Sequence, residues 1–448
     1  MLRTDVEIPD VHYARSGDVS IAYQVVGHGP PDLVFLPFLS SLWWIWQYPH
    51  FAPFVERLAR KRRVTLVNTR GMGLSDRPRV TTIESRMDDV LAVLDRLEIG
   101  RCSLLGIGET AATAIVFAAT YPDRVERLVT YIPFVRGIAS EEYPWGTTRE
   151  EWVEEQRTTR ERWGTREYLE EFARFMNPQW ADDPEYIEAV VWGHRHSVSP
   201  AAAAEFRRMQ METDVTDVLP IVRVPTLVLA KAHGEGRARF AAERIPVAEL
   251  RVLPGEGAAI HEHGGLHSVQ AIDEFLAGAT PEAVPDSLLT TILFTDLVGS
   301  TERAAALGDS AWRDLLAQHH AVVRRALARF RGEERDTAGD GFFATFDGPA
   351  RAIRCAATIV QDVRGLGLEV RAGIHTGECE LHDGTVAGLA VSIGARIAAA
   401  AGPGEVLVSQ TVRDLVAGAG LELTERGEHE LKGVPGTWRL YGVADRER

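Results

Sequence analysis

The residues best suited to chemistry stand at the end of one apolar run. Residues 291–295 are each β-branched or apolar, a pattern typical of a buried strand, and Asp296 follows them directly. Small residues at Gly299, Ser300 and Thr301 then open a predicted helix. A carboxylate beside the free N–H groups of a helix N-terminus suits a divalent cation together with a polyphosphate.

A second carboxylate, Asp340, stands between Gly339 and Gly341, a pattern that predicts the tip of a hairpin. Two carboxylates at adjacent strand ends are what a two-metal site for phosphoryl or nucleotidyl transfer requires. An isolated aspartate is more often a turn or helix-cap residue. The pair together therefore carries the interpretation.

Two folded regions must position these residues. From Asp32 to about Gly278, short apolar strands alternate with helices, which predicts a mostly parallel, doubly wound α/β sheet. Charged helices over about 140–215 predict a helical cap inserted between strands. We expect domain boundaries at 1–278 and 289–446, joined by a linker at 279–288 that is rich in proline and small residues. The second region alternates strands and helices with paired strands, which indicates an α+β domain.

The strand predictions are Asp32–Pro37, Val64–Asn68, Cys102–Gly106, Leu128–Ile132 and Thr226–Ala230. The helix predictions are Phe51–Ala59, Ile83–Leu97, Glu109–Ala119 and Leu266–Ala277.

Composition limits the functions that remain. The 448 residues carry a formal net charge of −15, which argues against a nucleic-acid-binding protein. Three scattered cysteines favour a reducing, cytoplasmic setting over a disulfide framework or a zinc site. We find no signal peptide, and the most apolar run, residues 33–46, is too short for a membrane span.

Six segments follow one another in the last third of the chain: residues 294–301, 339–341, 371–378, 391–396, 402–409 and 431–433. In this order they resemble the catalytic domain of class III nucleotidyl cyclases, which make cyclic AMP or cyclic GMP from the triphosphate. The resemblance implies an α+β, ferredoxin-like fold and a head-to-tail homodimer with nucleoside triphosphate sites at its interface. It also implies that Asp296 and Asp340 hold two divalent cations, Mg²⁺ or Mn²⁺.

The same resemblance assigns further residues. Arg396 matches the arginine that meets the transition-state phosphate from the partner subunit, and its guanidinium suits charge spread over several oxygens. Lys432 matches a lysine that contacts the phosphates.

Three positions depart from the family pattern. Asp336 stands where adenylyl cyclases keep a purine-reading lysine, and Thr385 stands at the second purine-reading position. Ser392 stands where an asparagine orients the ribose. Because a carboxylate only accepts hydrogen bonds, Asp336 suits either the exocyclic amine of adenine or the N–H groups of guanine. We therefore expect an adenylate cyclase of weak activity, with a guanylate or dual-specificity cyclase and a non-catalytic nucleotide-binding module as alternatives.

The first region resembles an α/β-hydrolase whose catalytic residues are missing. Residues 68–78, which begin with Asn68, resemble the turn Asp-x-Arg-Gly-x-Gly-x-Ser, and residues 104–110 stand where the nucleophile elbow belongs. The nucleophile position is Gly108, the acid position is Glu235 and the base position is Ala258. Phe38 replaces a usual glycine in the oxyanion loop. Losing these groups together argues against hydrolysis, with residual esterase activity as the weaker alternative.

Side chains near these positions could serve structure alone or could take part in binding or catalysis. His261, His263 and His267 are interpreted as polar residues at a pocket rim rather than a metal cluster or a displaced base. A tryptophan-rich segment, residues 43–48, either lines a pocket under the cap or packs the sheet against it. We expect this domain to regulate the cyclase, through a small apolar ligand under the cap or through dimerisation.

Overall fold

The chain divides into two compact units, residues 1–285 and 286–448. The computed structural model describes residues 7–37, 41–78, 81–278, 287–382 and 385–444, with the side chains of 381, 382 and 385 left out. The oxyanion-loop residue Phe38 and residues 279–286 of the predicted linker lie outside this part. Each unit is described by itself.

An eight-stranded sheet forms the centre of the first unit, in the order β1-β2-β4-β3-β5-β6-β7-β8. Its strands are β1 (His12–Ser16), β2 (Val19–Val26), β3 (Asp32–Leu36), β4 (Arg63–Val67), β5 (Cys102–Ile107), β6 (Val125–Tyr131), β7 (Thr226–Ala230) and β8 (Ala248–Val252). The two pairs that involve β2 are antiparallel, and every later pair is parallel. The carboxyl ends of β3, β5, β6 and β7 therefore meet at one edge, where α/β sheets place their sites.

Helices cover both faces of this sheet, and four of them form the cap between β6 and β7. The helices are α1 (Phe51–Ala59), α2 (Ile83–Arg96), α3 (Thr110–Thr120), α4 (Arg149–Arg162), α5 (Arg166–Met176), α6 (Pro184–Ser197), α7 (Pro200–Glu212), α8 (Glu235–Arg244) and α9 (Leu266–Leu276). Side-chain caps at Thr148, Thr165, Asp183 and Ser199 begin the four cap helices, α4 to α7.

The five predicted strands and four predicted helices of this unit are confirmed, with shifts of one to three residues at some ends. Sequence reasoning missed the hairpin of β1 and β2 and the edge strand β8. Three of the five residues of β1 are exposed, and β8 has no buried residue, so neither strand shows the buried apolar run that marks the inner strands.

The second unit has its own sheet, in the order β10-β11-β9-β12-β14-β16-β15, with β13 paired to the far end of β12. Its strands are β9 (Ser287–Leu297), β10 (Glu333–Ala338), β11 (Gly341–Phe346), β12 (Val370–His382), β13 (Thr385–Ala387), β14 (Val406–Ser409), β15 (Leu423–Glu430) and β16 (Thr437–Val443). Strand β9 begins two residues before the expected boundary, because Ser287 pairs with Glu380 and its hydroxyl donates to Glu378 Oε1 at 2.8 Å.

Helices lie on both faces of this second sheet. They are α10 (Ser300–Leu307), α11 (Asp309–Arg329), α12 (Pro349–Arg364), α13 (Leu389–Ala400) and α14 (Gln410–Leu415). Helices α11 and α12 pack with Leu293, Phe342 and Ile374 in one buried cluster. Helix α13 covers the opposite face, where a Cβ on Gly373 would lie 2.1 Å from the backbone nitrogen of Ala398. Only glycine allows that approach.

The three cysteines, Cys102, Cys355 and Cys379, are free and buried. Burial raises the pKa of each thiol, to about 12 for Cys355 and Cys379. Among the described residues, no helix has both the length and the apolar character needed to cross a bilayer.

Candidate functional site

Asp296 lies near the end of β9, beside the arginine opposite it on β12. Arg371 donates from Nε at 3.0 Å and from Nη2 at 2.5 Å to Oδ2 of Asp296. The pair is about one-third exposed, with side-chain exposures of 35% for Arg371 and 40% for Asp296. Asp296 is thus held in one orientation by a cation while it remains open to a ligand.

Asp340 lies on the turn between β10 and β11, next to Asp296. A Cβ added to Gly341 would lie 3.9 Å from Oδ1 of Asp296, so the hairpin tip reaches the end of β9. Oδ2 of Asp340 is buried and has no hydrogen-bond partner among the described residues. The structure thus brings the two predicted carboxylates to one edge of the sheet.

Two histidines of α11 lie beneath this hairpin. Nε2 of His320 lies 3.0 Å from the carbonyl oxygen of Gly339, so the ring donates its N–H to the backbone beside Asp340. The ring also meets Phe342 edge-on, with centroids 5.1 Å apart. His319 is fully buried, and burial lowers its pKa to about 4. Sequence reasoning had not connected either histidine to Asp340.

The residues around the two aspartates fit a divalent cation that a phosphate-bearing ligand completes. No cluster of three or more histidine, cysteine, aspartate or glutamate side chains suited to a metal occurs in the described part of the chain. Cations at nucleotide sites are often held by one or two carboxylates, with phosphate oxygens and water completing the shell. The unpartnered oxygen of Asp340 and the partly exposed carboxylate of Asp296 supply that donor set.

One face of the sheet continues from Asp296 toward the outer strand. Phe294 lies two residues before Asp296 and therefore on the same face. It is paired with Phe343, and the two rings stack with centroids 4.8 Å apart and planes 7° apart. Asp336 pairs with Phe343 and is exposed, with Oδ1 accepting from the Thr337 N–H at 2.8 Å. A stacked aromatic surface thus leads from the carboxylate pair to the predicted base-reading residue.

The remaining predicted residues of this unit lie on exposed segments. Ser392 and Arg396 are one turn apart on the exposed side of α13, and Lys432 is exposed in the turn between β15 and β16. Within the described residues, no hydrogen bond or ion pair joins Arg396 to either aspartate. The side chain of Thr385 lies outside the described part.

The three small residues whose N–H groups are predicted to suit a polyphosphate lie where α10 begins. Gly299 precedes that helix with a φ of 67°, Ser300 is half-buried, and Thr301 is exposed. The loop follows β9 directly, which places its backbone N–H groups beyond Asp296.

In the first unit, Gly108 forms the sharp turn between β5 and α3. Its φ is 55°, its N–H donates to the Tyr131 carbonyl at 2.9 Å, and its carbonyl accepts from the Phe134 N–H at 3.0 Å. This is the backbone of a nucleophile elbow with no nucleophile, because glycine adopts the turn without strain and has no side chain.

Glu109 follows Gly108, and sequence reasoning gave it no role. Its Oε1 accepts from Nε2 of Gln210, and its Oε2 is buried without a partner in the described structure. Burial raises the pKa of the Glu109 carboxyl, while its own backbone N–H and the nearby Arg207 and Arg237 oppose that rise.

The predicted acid position lies at the start of a helix. Glu235 begins α8 and pairs with Arg239 at 2.6 Å, and it is not among the described residues that line the cavity below the cap.

After β7, the side chains that line this cavity are those of His233 and Arg237. Lys231 is 5% exposed, donates to the Ala259 carbonyl at 2.9 Å, pairs with Glu262 and lines a separate pocket. Sequence reasoning did not identify this Lys231–Glu262 ion pair.

A cavity of about 700 Å³ lies between the elbow and the cap. Gly108, Glu109 and Ala258 line it, as does His261, while His263 and His267 are exposed residues at a separate, smaller pocket. Burial lowers the pKa of His261 to about 3, so its ring is neutral. Its Nε2 has no partner among the described residues.

The tryptophan-rich segment mostly serves packing. Trp46 is buried and donates to Gln24 Oε1 at 2.9 Å, and Trp44 donates to the Ala189 carbonyl at 3.0 Å. Of the four aromatic residues in this segment, only Tyr48 is among the described residues that line the cavity.

Known proteins resemble each unit separately. Residues 286–444 match the family model described as Adenylate and Guanylate cyclase catalytic domain, and residues 25–279 match the Alpha/beta hydrolase family. An uncharacterized protein of Rhizobium meliloti (strain 1021) is 31% identical over 179 residues, which are 34% of this chain and 17% of that protein. A protein of the same strain named "Putative adenylate cyclase 3" is 25% identical over 169 residues, 36% of this chain and 29% of its own length.

The chain thus spans less than a third of the length of these two relatives. The enol-lactonase from Burkholderia xenovorans LB400 aligns with a TM-score of 0.51 and 22% identity over 60% of this chain and 100% of that one. At this identity the likeness concerns the fold alone. By residues 25–279 the chain belongs to the alpha/beta hydrolase family, and residues 286–444 form a class III adenylate and guanylate cyclase catalytic domain.

Proposed function

We propose that residues 286–444 convert ATP into cyclic AMP and pyrophosphate at the interface of a homodimer. The observation that carries this proposal is the juxtaposition of Asp296 and Asp340, with one oxygen of Asp340 buried and unpartnered. The relative named as an adenylate cyclase supports ATP as the substrate.

Asp296 and Asp340 would hold two Mg²⁺ or Mn²⁺ ions, which when bound neutralise phosphate charge and lower the pKa of the ribose 3′-hydroxyl. The chain itself supplies orientation. Arg371 fixes Asp296, and the N–H groups that open α10 at Gly299, Ser300 and Thr301 face the triphosphate.

The stacked Phe294 and Phe343 offer an apolar surface to the base, and Asp336 accepts from its exocyclic N–H groups. Thr385 adds the second contact to the base.

A second copy of the chain completes the site. Arg396 from that copy meets the charge that develops at the α-phosphate, Ser392 contacts the ribose, and Lys432 contacts the terminal phosphates. The exposure of all three side chains, with no ion pair to either aspartate in one copy, supports this arrangement.

GTP is the second candidate substrate, because the acceptor-only carboxylate of Asp336 suits the N1–H and N2–H₂ donors of guanine. Product formation from ATP and from GTP, each with Mg²⁺ and with Mn²⁺, tests both candidates against an Asp296→Ala control. If neither nucleotide yields cyclic product above that control, the chain is a non-catalytic nucleotide-binding module instead.

We further propose that residues 1–278 regulate the cyclase through a ligand under the cap and do not hydrolyse it. Gly108 and Ala258 supply neither nucleophile nor base, while the cavity above them persists. A cyclase rate that stays the same after removal of residues 1–280 would count against regulation. Hydrolysis of a p-nitrophenyl ester that disappears in His261→Ala would show a residual esterase.

A further inference from the structure

Two arginines line the cavity under the cap without a carboxylate partner. Arg207 lies on α7 and Arg237 on α8, and both are half-buried. Arg207 donates from Nη1 to Gln210 Oε1 at 3.4 Å, and Arg237 donates from Nη2 to the Trp145 carbonyl at 2.8 Å. Among the described residues, neither arginine forms an ion pair. Each guanidinium carries five N–H groups, so donors of both remain for a ligand.

The two guanidinium groups lie on one side of the cavity. Cζ of Arg237 lies 5.3 Å from the ring centroid of Phe134, which lines the cavity. The residues whose oxygens accept from the two arginines line it as well. Burial raises the pKa of the Glu109 carboxyl, and both Arg207 and Arg237 lower it. Two positive charges therefore lie close to the residue that follows the elbow glycine.

The acidic residues of the cavity do not neutralise this side. Three line the described part of it: Glu109, Glu155 and Glu171. Glu155 and Glu171 are exposed residues of the cap helices α4 and α5, and Glu171 pairs with Arg162 at 3.3 Å. Water and salt screen such exposed charges. Because Glu109 offsets at most one of two guanidinium charges, the side next to the elbow keeps a positive charge.

The other side of the cavity is apolar. Phe35 and Phe51 line it, with ring centroids 6.4 Å apart, and both are buried. They belong to β3 and to the start of α1, whereas Arg237 follows β7, and β5 and β6 lie between β3 and β7 in the sheet. His261 meets Phe51 edge-on at 5.6 Å and is neutral, because burial lowers its pKa to about 3.

We propose that the cavity binds, without cleaving it, an amphipathic carboxylate whose head group is held by Arg207 and Arg237 and whose apolar body lies against Phe35 and Phe51. The planar fork of a guanidinium matches the two oxygens of a carboxylate. A half-buried cation that lacks a counter-ion gains from receiving one. The volume of about 700 Å³ is within the range of small-molecule sites, and Gly108 supplies no nucleophile.

Three small ligands test this inference on the full chain by isothermal titration at neutral pH. Octanoate and octanamide share one apolar body and differ in charge, so octanoate should bind at least about tenfold more tightly. Butanoate keeps the carboxylate and lacks four methylene groups. It should bind at least about tenfold more weakly than octanoate, because each buried methylene contributes to affinity.

Variants identify the groups that hold the carboxylate. Arg207→Gln and Arg237→Gln should each weaken octanoate binding by about tenfold and change octanamide binding by less than about threefold. Arg208→Gln and Arg239→Gln are the matched controls, one on each helix. Both arginines pair with a glutamate of their own helix, and neither is among the described residues that line the cavity. Octanoate affinity should stay the same in these controls.

Several results would overturn the inference. They are octanoate binding no more tightly than octanamide, octanoate binding no more tightly than butanoate, octanoate affinity unchanged in both cavity variants, and no binding of any of the three ligands. Thermal unfolding shows whether each variant is folded. If a cavity variant is unfolded, the comparison of the three ligands on the wild-type chain still decides.

The link to the cyclase is measured separately. The inference names the class of ligand for the proposed function, and only its regulatory consequence rests on that function. The cyclase rate is therefore recorded with and without saturating octanoate. Binding that depends on Arg207 and Arg237 but leaves this rate unchanged would contradict regulation and support the ligand assignment.

Discussion

Arg371 donates two hydrogen bonds to a single oxygen of Asp296, its direct partner in the register of β9 and β12. The arginine thereby fixes the carboxylate before any cation or nucleotide arrives. Preorganised charge of this kind contributes to catalysis more than it contributes to folding.

We therefore expect Arg371→Ala to separate activity from stability. Cyclase activity should fall by about tenfold or more, since Asp296 is no longer oriented. The free energy of unfolding should fall by less than about 1 kcal/mol, because the pair is about one-third exposed. Denaturant titration and product formation measure the two effects, and Arg439→Ala, which removes an exposed pair with Glu428, is the matched control. Equal losses in both variants would contradict this role.

Complementation tests whether one site draws residues from two copies. Asp296→Ala and Arg396→Ala should each be inactive alone, because every site then lacks one of the two groups. In an equimolar mixture, half of the dimers are mixed and each mixed dimer keeps one intact site, so about a quarter of wild-type activity should return. A mixture as inactive as its components would place both residues within one copy.

His320 should act as a positioning residue for Asp340 through the carbonyl of Gly339. Residues that orient a metal ligand typically change metal affinity by about 10- to 100-fold when they are removed. His320→Ala should raise the Mn²⁺ concentration needed for half-maximal activity by about tenfold and weaken Mn²⁺ binding measured by electron paramagnetic resonance.

His320→Gln keeps a donor and should recover part of the loss. His429 makes a similar bond, to the Arg426 carbonyl at 3.1 Å, on β15, so His429→Ala controls for the loss of a histidine. An unchanged Mn²⁺ requirement in His320→Ala would contradict the positioning role.

The pH dependence of stability should report on His375, which is 5% exposed with Nδ1 2.9 Å from Ser409 Oγ. Burial lowers its pKa from 6.5 to about 4. Below pH 6.5, the pKa of this histidine in the unfolded chain, the unfolded chain binds a proton that the folded chain does not bind. The contribution of His375 to the free energy of unfolding is therefore fully present above about pH 6.5 and decreases toward pH 4.

The stability difference between wild type and His375→Gln should therefore shrink by up to about 3 kcal/mol between about pH 7 and about pH 4. Denaturant titrations at several pH values measure it, with His429→Gln, at a half-buried position of β15, as control. A difference that stays constant with pH would show that His375 does not stay neutral in the folded chain.

The strands, helices and turns of this protein that follow a regular sequence pattern could be predicted. The side-chain contacts between residues distant in sequence could not. The inner strands of the first sheet show apolar runs, and the two aspartates follow recognisable strand and turn patterns. The Arg371–Asp296 pair depends on the register of two strands distant in sequence, which spacing does not reveal. The hydrogen bond between Glu109 and Gln210 of α7 and the ion pair between Lys231 and Glu262 likewise join residues distant in sequence, so the sequence alone does not predict them. Glu235 stays a prediction for the acid position: it begins α8, pairs with Arg239 and is not among the described residues that line the cavity.

The three buried thiols allow the opening rate of each half of the protein to be measured by chemical labelling. Cys102 lies in the first compact unit, and Cys355 and Cys379 lie in the second. Because burial raises the thiol pKa and shields the sulfur, a disulfide reagent reacts only when the surrounding unit opens. Mass spectrometry of timed labelling therefore yields an opening rate for each half within a single sample. If adding a cyclase substrate slows the labelling of Cys355 and Cys379 but not that of Cys102, the two halves open independently.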